Sequence, residues 1–140
     1  MRISTRGRYA LRVLIDLAQH RDDGYISLKT IAERQGISKK YLDQIMLLLN
    51  HTDYLKATRG AQGGYKLAKP PREYTVGGIL RATEGSIAPI ACLENGGGDC
   101  GRHAGCPARY VWHGLEEVMT RYLDSLTLQD VLERDDLGKT

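Results

Sequence analysis

The stretch Ser27-Leu28-Lys29-Thr30-Ile31-Ala32-Glu33-Arg34-Gln35-Gly36-Ile37-Ser38-Lys39-Lys40-Tyr41-Leu42-Asp43-Gln44 decides the fold of this 140-residue chain. Ser27 is placed to cap a helix, because a serine oxygen just ahead of an apolar periodic run accepts an otherwise unpaired backbone N–H. Leu28, Ile31 and Ala32 share one side of that helix, and Gly36, free to adopt a left-handed backbone, ends it. Ser38 caps the next helix, on which Leu42, Ile45, Met46 and Leu49 recur at the spacing of an inward face. Two short helices joined by Gln35-Gly36-Ile37-Ser38 match the tight, glycine-containing turn of a DNA-binding pair. In such a pair the N-terminal end of the second helix reaches base edges and phosphates, which assigns groove contacts to Ser38, Lys39, Lys40, Tyr41, Asp43 and Gln44. An ordinary helical hairpin with a solvated lysine pair fits the same stretch equally well, and the residues downstream separate the two.

Tyr54-Leu-Lys-Ala-Thr-Arg59 and Tyr65-Lys-Leu-Ala68 read as short strands around Gly60-Ala-Gln62-Gly63-Gly64, a hairpin with a glycine-rich tip. Helix, turn, helix, hairpin is a winged helix. Arg59 beside the tip suits a minor groove, whose negative potential favours a guanidinium, and Gly60, Gln62, Gly63 and Gly64 let the tip approach a DNA backbone closely. These glycines do not make a nucleotide-phosphate loop, since the lysine of G-x-x-x-x-G-K-[ST] is missing and no βαβ pattern surrounds them.

Upstream, Ala10, Val13, Leu14, Leu17 and Ala18 give an amphipathic first helix ending near His20, before the turn Asp22-Asp23-Gly24. Downstream, Pro70-Pro71 closes the wing and Thr75 caps a short helix reaching Thr83. Pro107 marks the start of a long helix with a broad apolar stripe, Val111, Leu115, Val118 and Tyr122 beside Trp112, Met119, Leu123 and Leu126. Part of the stripe is expected to fold back on the first helix. A small winged helix cannot bury the rest, so a homodimer is expected in which this helix packs on its symmetry mate. Thr127 and Asp130 cap a last helix ending in a frayed, charged tail. The expected fold class is mainly α with a small β-wing. Residues 1–84 form a winged helix-turn-helix DNA-binding domain, 85–106 a cysteine-rich loop, and 107–140 the dimerisation helix and tail.

The net charge of +3 hides an asymmetry: residues 1–70 carry 13 Lys and Arg against 6 Asp and Glu, residues 71–140 carry 7 against 11. Positive charge gathered on the winged half is the footprint of a polyanion, here double-stranded DNA. A hydrophobic content of 41% is enough for a core, but no run approaches the ~18 apolar residues of a membrane span. The basic N-terminus, Met1-Arg-Ile-Ser-Thr-Arg-Gly-Arg8, lacks the apolar segment of a signal peptide, so a reducing cytoplasm is expected. No Cys-His pair stands in a catalytic frame and there is little room for a substrate pocket, which argues against an enzyme or a small-molecule substrate.

All three cysteines, Cys92, Cys100 and Cys106, lie in one glycine-rich loop. Thiolates on a loop that folds tightly around a small object suit zinc or an iron-sulfur cluster. Structural zinc wants four ligands, usually with close C-x2-C pairs, whereas these gaps are seven and five residues, which suits a larger inorganic core. Buried structural thiols are the plainer reading, and Gly96, Gly97, Gly98, Asp99, Gly101 and Arg102 make poor core neighbours for them.

Met1-Arg-Ile-Ser-Thr-Arg-Gly-Arg-Tyr-Ala10, Ile31-Ala-Glu-Arg-Gln-Gly-Ile-Ser38, Tyr41-Leu-Asp-Gln44 and Arg59-Gly-Ala-Gln-Gly-Gly-Tyr-Lys-Leu67, followed by the three cysteines, resemble the small winged-helix regulators typified by IscR, NsrR and CymR. The resemblance runs over nearly the whole chain, with IscR nearest in pattern. It implies a dimeric bacterial transcription factor on a near-palindromic operator, Tyr41 and its neighbours in the major groove, Arg59 in the minor groove. It further implies an iron-sulfur cluster on Cys92, Cys100 and Cys106, 2Fe-2S before 4Fe-4S, reporting iron-sulfur status, redox state or nitric oxide. A regulator of cysteine metabolism without a cluster, or a zinc or thiol switch, are the alternatives. The chain departs from the family pattern in three places. Its first cysteine gap is longer than the five residues of IscR-like chains. The fourth-ligand positions of IscR and NsrR fall on Arg109 and Arg8, leaving His103, Asp99, Glu94 and His113 as candidates with His103 first. Asp43 stands where IscR has a glutamate that helps reject operators.

Overall fold

A computed structural model describes residues 3–96 and 105–138. Helix α1 (Thr5–Gln19) is capped by Ser4 and buries Ala10, Val13, Leu14, Leu17 and Ala18. Helix α2 (Leu28–Gln35) starts at Ser27, whose hydroxyl accepts from Thr30 N–H, and stops at Gly36 with φ 64°, the left-handed backbone that favours glycine. Helix α3 (Lys39–Asn50) starts at Ser38 and turns Leu42, Ile45, Met46 and Leu49 inward. Strands β1 (Leu55–Thr58) and β2 (Gly64–Leu67) pair antiparallel, with Leu55 opposite Leu67 and Thr58 opposite Gly64. The caps, the turn and the hairpin thus stand where their residues predict them, and the chain is mostly helical with a two-stranded wing.

The wing is tied to the body at two points. Ile26 and Tyr65 exchange backbone hydrogen bonds of 2.8 Å, which adds a third short extended segment to the hairpin. Only glycine allows that approach at position 64, because a Cβ there would run into the Ile26 carbonyl. Behind the hairpin Tyr74 is fully buried; its hydroxyl donates to the Tyr54 carbonyl and accepts from Lys69 N–H, and burial raises its pKa.

Helix α4 (Val76–Glu84), capped by Thr75, packs on α1, and the Ser4 backbone N–H at the start of α1 donates to the Glu84 carboxylate at 3.0 Å. Gly7 leaves room for that carboxylate against α1. Helix α5 (Arg109–Ser125) begins two residues beyond Pro107, which lies in the preceding turn. It packs on α4, whereas a return onto α1 was expected for part of its stripe. Arg81 on α4 makes two hydrogen bonds to Asp124, at 2.8 and 3.0 Å, and holds that carboxyl below the usual range. Helix α6 (Leu128–Gly138) takes the place on α1 instead: Leu128 and Leu132 join the central core. Its cap is reciprocal, Thr127 N–H donating to Asp130 and Asp130 N–H to the Thr127 hydroxyl. The helix extends to Gly138, the last described residue.

Candidate nucleic-acid interface and cysteine loop

Helices α2 and α3 share an electrostatic oddity that local sequence dictates. The first turn of a helix carries partial positive charge and ordinarily favours Asp or Glu. Neither helix has an acidic residue there; α2 has Lys29 in its first turn, and α3 has Lys39 and Lys40. All three lysines are exposed. One groove between α2, α3 and the wing is lined by Ser27, Lys29, Lys39, Thr58, Arg59 and Gly63. Three cations from three elements therefore converge where the helix ends are already positive. On the wing, Lys56 and Lys66 face one another across the ladder, a like-charge pairing that costs stability unless an anion covers it. Lys66 is partly accommodated 4.6 Å above the Tyr25 ring.

Ser38, Lys39, Lys40, Asp43 and Gln44 are exposed on α3, and Arg59, Gly60 and Gln62 on the wing. Gly63 and Gly64 are half-buried where the tip turns back; at Gly63 a Cβ would press on the Thr58 carbonyl at 2.5 Å. Tyr41 sits differently from its neighbours. It is half-buried, with its ring edge-on to Tyr9 at 5.7 Å, so much of it belongs to the α1–α3 contact. Lys29 escaped the sequence reading because a lone lysine on a short helix looks like solvated surface; its position in the positive first turn was the available signal.

The pair α2–α3 is oriented by a buried carboxylate on α1. Asp16, 1% exposed, accepts from Arg34 Nε at 3.0 Å, from Arg34 Nη2 at 2.6 Å and from Gln35 Nε2 at 2.9 Å. Arg12, stacked 5.0 Å over Tyr9, donates to the Gln35 side chain at 3.2 Å. The end of α2 is thus fixed on α1 immediately before the turn into α3.

Of the cysteines, Cys92 lies in the short 3-10 turn Ala91–Gly96 and Cys106 just ahead of α5; both are half-buried. Each is near an anchored point: Leu93 is buried and its N–H reaches the Ile90 carbonyl, while the Cys106 carbonyl accepts from Arg109 N–H. Cys100, His103 and Asp99 lie outside the described residues, and among the described residues no group of three or more His, Cys, Asp or Glu could hold a metal ion. Two soft thiols fixed at the two ends of one loop, with the third between them in sequence, fit an iron-sulfur core in donor chemistry. Of the other fourth-ligand candidates, Glu94 lies in the Ala91–Gly96 turn, and His113 accepts at Nε2 from Arg109 Nε at 3.1 Å and faces Glu116 at 4.0 Å. Arg8, at the other family position, donates to Thr5. Among the described residues no helix is long and apolar enough to cross a membrane.

A sequence profile described as "Rrf2: Iron-dependent Transcriptional regulator" matches residues 3–134. "Protein rrf2" of Nitratidesulfovibrio vulgaris is 39% identical over 132 residues, 94% of this chain and 87% of that protein. Among solved structures, T. potens IscR is similar with a TM-score of 0.78 and 36% identity, covering 100% of this chain and 92% of that one. CymR, the global cysteine regulator of B. subtilis, gives 0.79 and 36%, covering 96% and 98%.

Proposed function

The chain belongs to the Rrf2 family of transcriptional regulators, and on that premise we propose that it binds a near-palindromic double-stranded operator as a homodimer in the bacterial cytoplasm, its operator choice set by an iron-sulfur cluster. Ser38, Lys39, Lys40, Tyr41, Asp43 and Gln44 take the major groove. Arg59 enters the minor groove, with Gly60, Gln62, Gly63 and Gly64 against its backbone. The observation that carries this is the convergence of Lys29, Lys39 and Arg59 on one groove, at helix ends where acidic residues are the favourable choice.

Salt titration tests it. Each phosphate neutralised releases counterions, so binding falls with salt at a slope of about −0.9 per contact. Arg59→Ala is expected to weaken a selected operator about tenfold or more, and Lys29→Ala to weaken operator and random duplex alike while reducing the slope by about two per dimer. Fluorescence anisotropy over a salt series reads both. An unchanged slope in Lys29→Ala removes it from the interface.

Cys92, Cys100 and Cys106 hold the cluster, which supplies an iron core sensitive to oxygen and nitric oxide. The loop joins α4, which packs on the DNA-binding core, to α5, whose apolar face points out of the protomer. A cluster held between these two helices would therefore bear on how two winged domains sit on their half-sites. Protein purified without oxygen is expected to be brown, and Cys92→Ala, Cys100→Ala and Cys106→Ala each to lose the visible absorbance. Operator affinity is expected to differ about 5- to 150-fold between the native and colourless proteins. The similarity to CymR supports a second reading, a cluster-free regulator of cysteine metabolism. Anaerobic protein that stays colourless after reconstitution, or carries stoichiometric zinc, selects against the cluster.

A further inference from the structure

We propose that Leu47 is a specificity residue that packs against a thymine methyl in the major groove, an inference that rests on the DNA-binding reading above. Leu47 is 63% exposed, and single exposed leucines are ordinary on protein surfaces. Its position is not ordinary. At about 100° per residue, Leu47 falls within roughly 20° of Lys40 and between Asp43 and Gln44 around α3, directly opposite the buried Leu49. Lys40, Asp43, Gln44 and Leu47, at spacing i, i+3, i+4, i+7, therefore form an exposed ridge of the recognition helix flanked by the exposed Lys39 and Asn50, and Leu47 is the apolar member of that face. A helix rise of about 1.5 Å per residue puts Leu47 roughly 10 Å beyond Lys40, about three base pairs further along a groove wide enough to admit the helix.

The four side chains divide the chemistry of base edges between them. Lysine donates to guanine, glutamine pairs with adenine N6 and N7, an aspartate accepts from cytosine N4, and the thymine 5-methyl is the one apolar group the groove displays. Leucine is the member suited to that methyl and has no hydrogen-bonding group for any other edge. Its side chain adds little to the protomer's own packing, since the core lies on the opposite side of the helix.

Deoxyuridine tests this cleanly, because it removes the methyl and leaves Watson–Crick pairing intact. An operator is first selected from a random duplex library with the wild-type protein, then synthesised with uracil replacing each thymine in turn. Wild-type protein is expected to lose about fourfold in affinity per half-site at one thymine position, the worth of one buried methyl, and about fifteenfold when both half-sites are changed. Leu47→Ala, with its melting temperature and sedimentation checked against wild type, is expected to bind thymine and uracil versions of that position equally. Discrimination of thymine from uracil that persists in Leu47→Ala, or wild-type indifference to uracil at every position, overturns the proposal. A change in sedimentation with discrimination intact overturns it too, by assigning Leu47 to a contact between protein copies. If no sequence is enriched from the library, the DNA-binding reading itself has failed, which is a different result from either.

Discussion

In the proposed homodimer, Val118→Glu is expected to leave the protomer folded, to convert the dimer into a monomer and to lower operator affinity by about 10²- to 10⁴-fold. Helix α5 has no buried residue in the protomer. Val111, Val118 and Tyr122 are 56%, 60% and 59% exposed, and Trp112 and Leu115 lie beside them at 37% and 36%. A contiguous apolar stripe of this length is far more than scattered surface leucines explain. Among the described residues nothing buries it: α6 turns back after Leu126 and packs on α1, while α4, tied to α5 by the Arg81–Asp124 pair, leaves no residue of α5 buried. In the protomer a glutamate at 118 stays in water and costs little. Across a two-fold interface the same carboxylate would be buried without a partner, and its symmetry mate would lie close by. Affinity follows because each half-site alone is bound weakly, the second contact being strong only when tethered to the first. Sedimentation velocity and operator titration check this together; a Val118→Glu protein that remains a dimer removes α5 from the interface.

What could be read from residues alone was what local chemistry determines. Ser27, Ser38, Thr75 and Thr127 each cap the helix they announce, because a cap needs only a side chain and an N–H two or three residues away. The hairpin was legible for the same reason, its glycines standing where the backbone must turn. Long-range choices were not. Nothing in the stripe of α5 says that it packs on α4 while α6 takes α1, since both helices offer apolar faces and only the closed core decides. The Ile26–Tyr65 exchange was invisible because a single extended residue before a cap carries no period, although Gly64 records the close approach. Of the residues proposed to face DNA, those at the start of α3 could be named from their position in the motif, and the structure exposes Lys39, Lys40, Asp43 and Gln44 there. Lys29 and the burial of Tyr41 against Tyr9 depend on how three elements meet.

The same limit hid Asp16, which one would read as a solvated aspartate on an amphipathic helix, and from it comes the other large effect. Asp16→Ala is expected to destabilise the protein by about 3 kcal/mol and to lower its melting temperature by roughly 10 °C. The carboxylate is 1% exposed and accepts three hydrogen bonds, two from Arg34 and one from Gln35, with His20 Nδ1 a further 3.7 Å away. Removing it leaves the Arg34 guanidinium and the Gln35 amide facing a cavity with no acceptor, the costly way to break a buried pair. The Arg34 side chain is 32% exposed, so water recovers part of the loss, which is why the figure sits at the low end for such pairs. Asp16→Asn is expected to recover little, because its amide nitrogen presents a donor where donors already converge. The effect should also be felt at the DNA. Arg34 and Gln35 are the last residues of α2 before the Gly36 turn, so releasing them loosens the angle at which α3 leaves that turn. Affinity for a selected operator should then fall more than affinity for random duplex, since base contacts need orientation and phosphate contacts mostly need charge. A double-mutant cycle with Arg34→Ala, read by thermal unfolding, isolates the pair: coupling of about 1.5 kcal/mol or more is expected, and coupling near zero would mean that the Asp16–Arg34 pair does not hold α2 on α1, leaving that to the apolar face and the Gln35 hydrogen bonds.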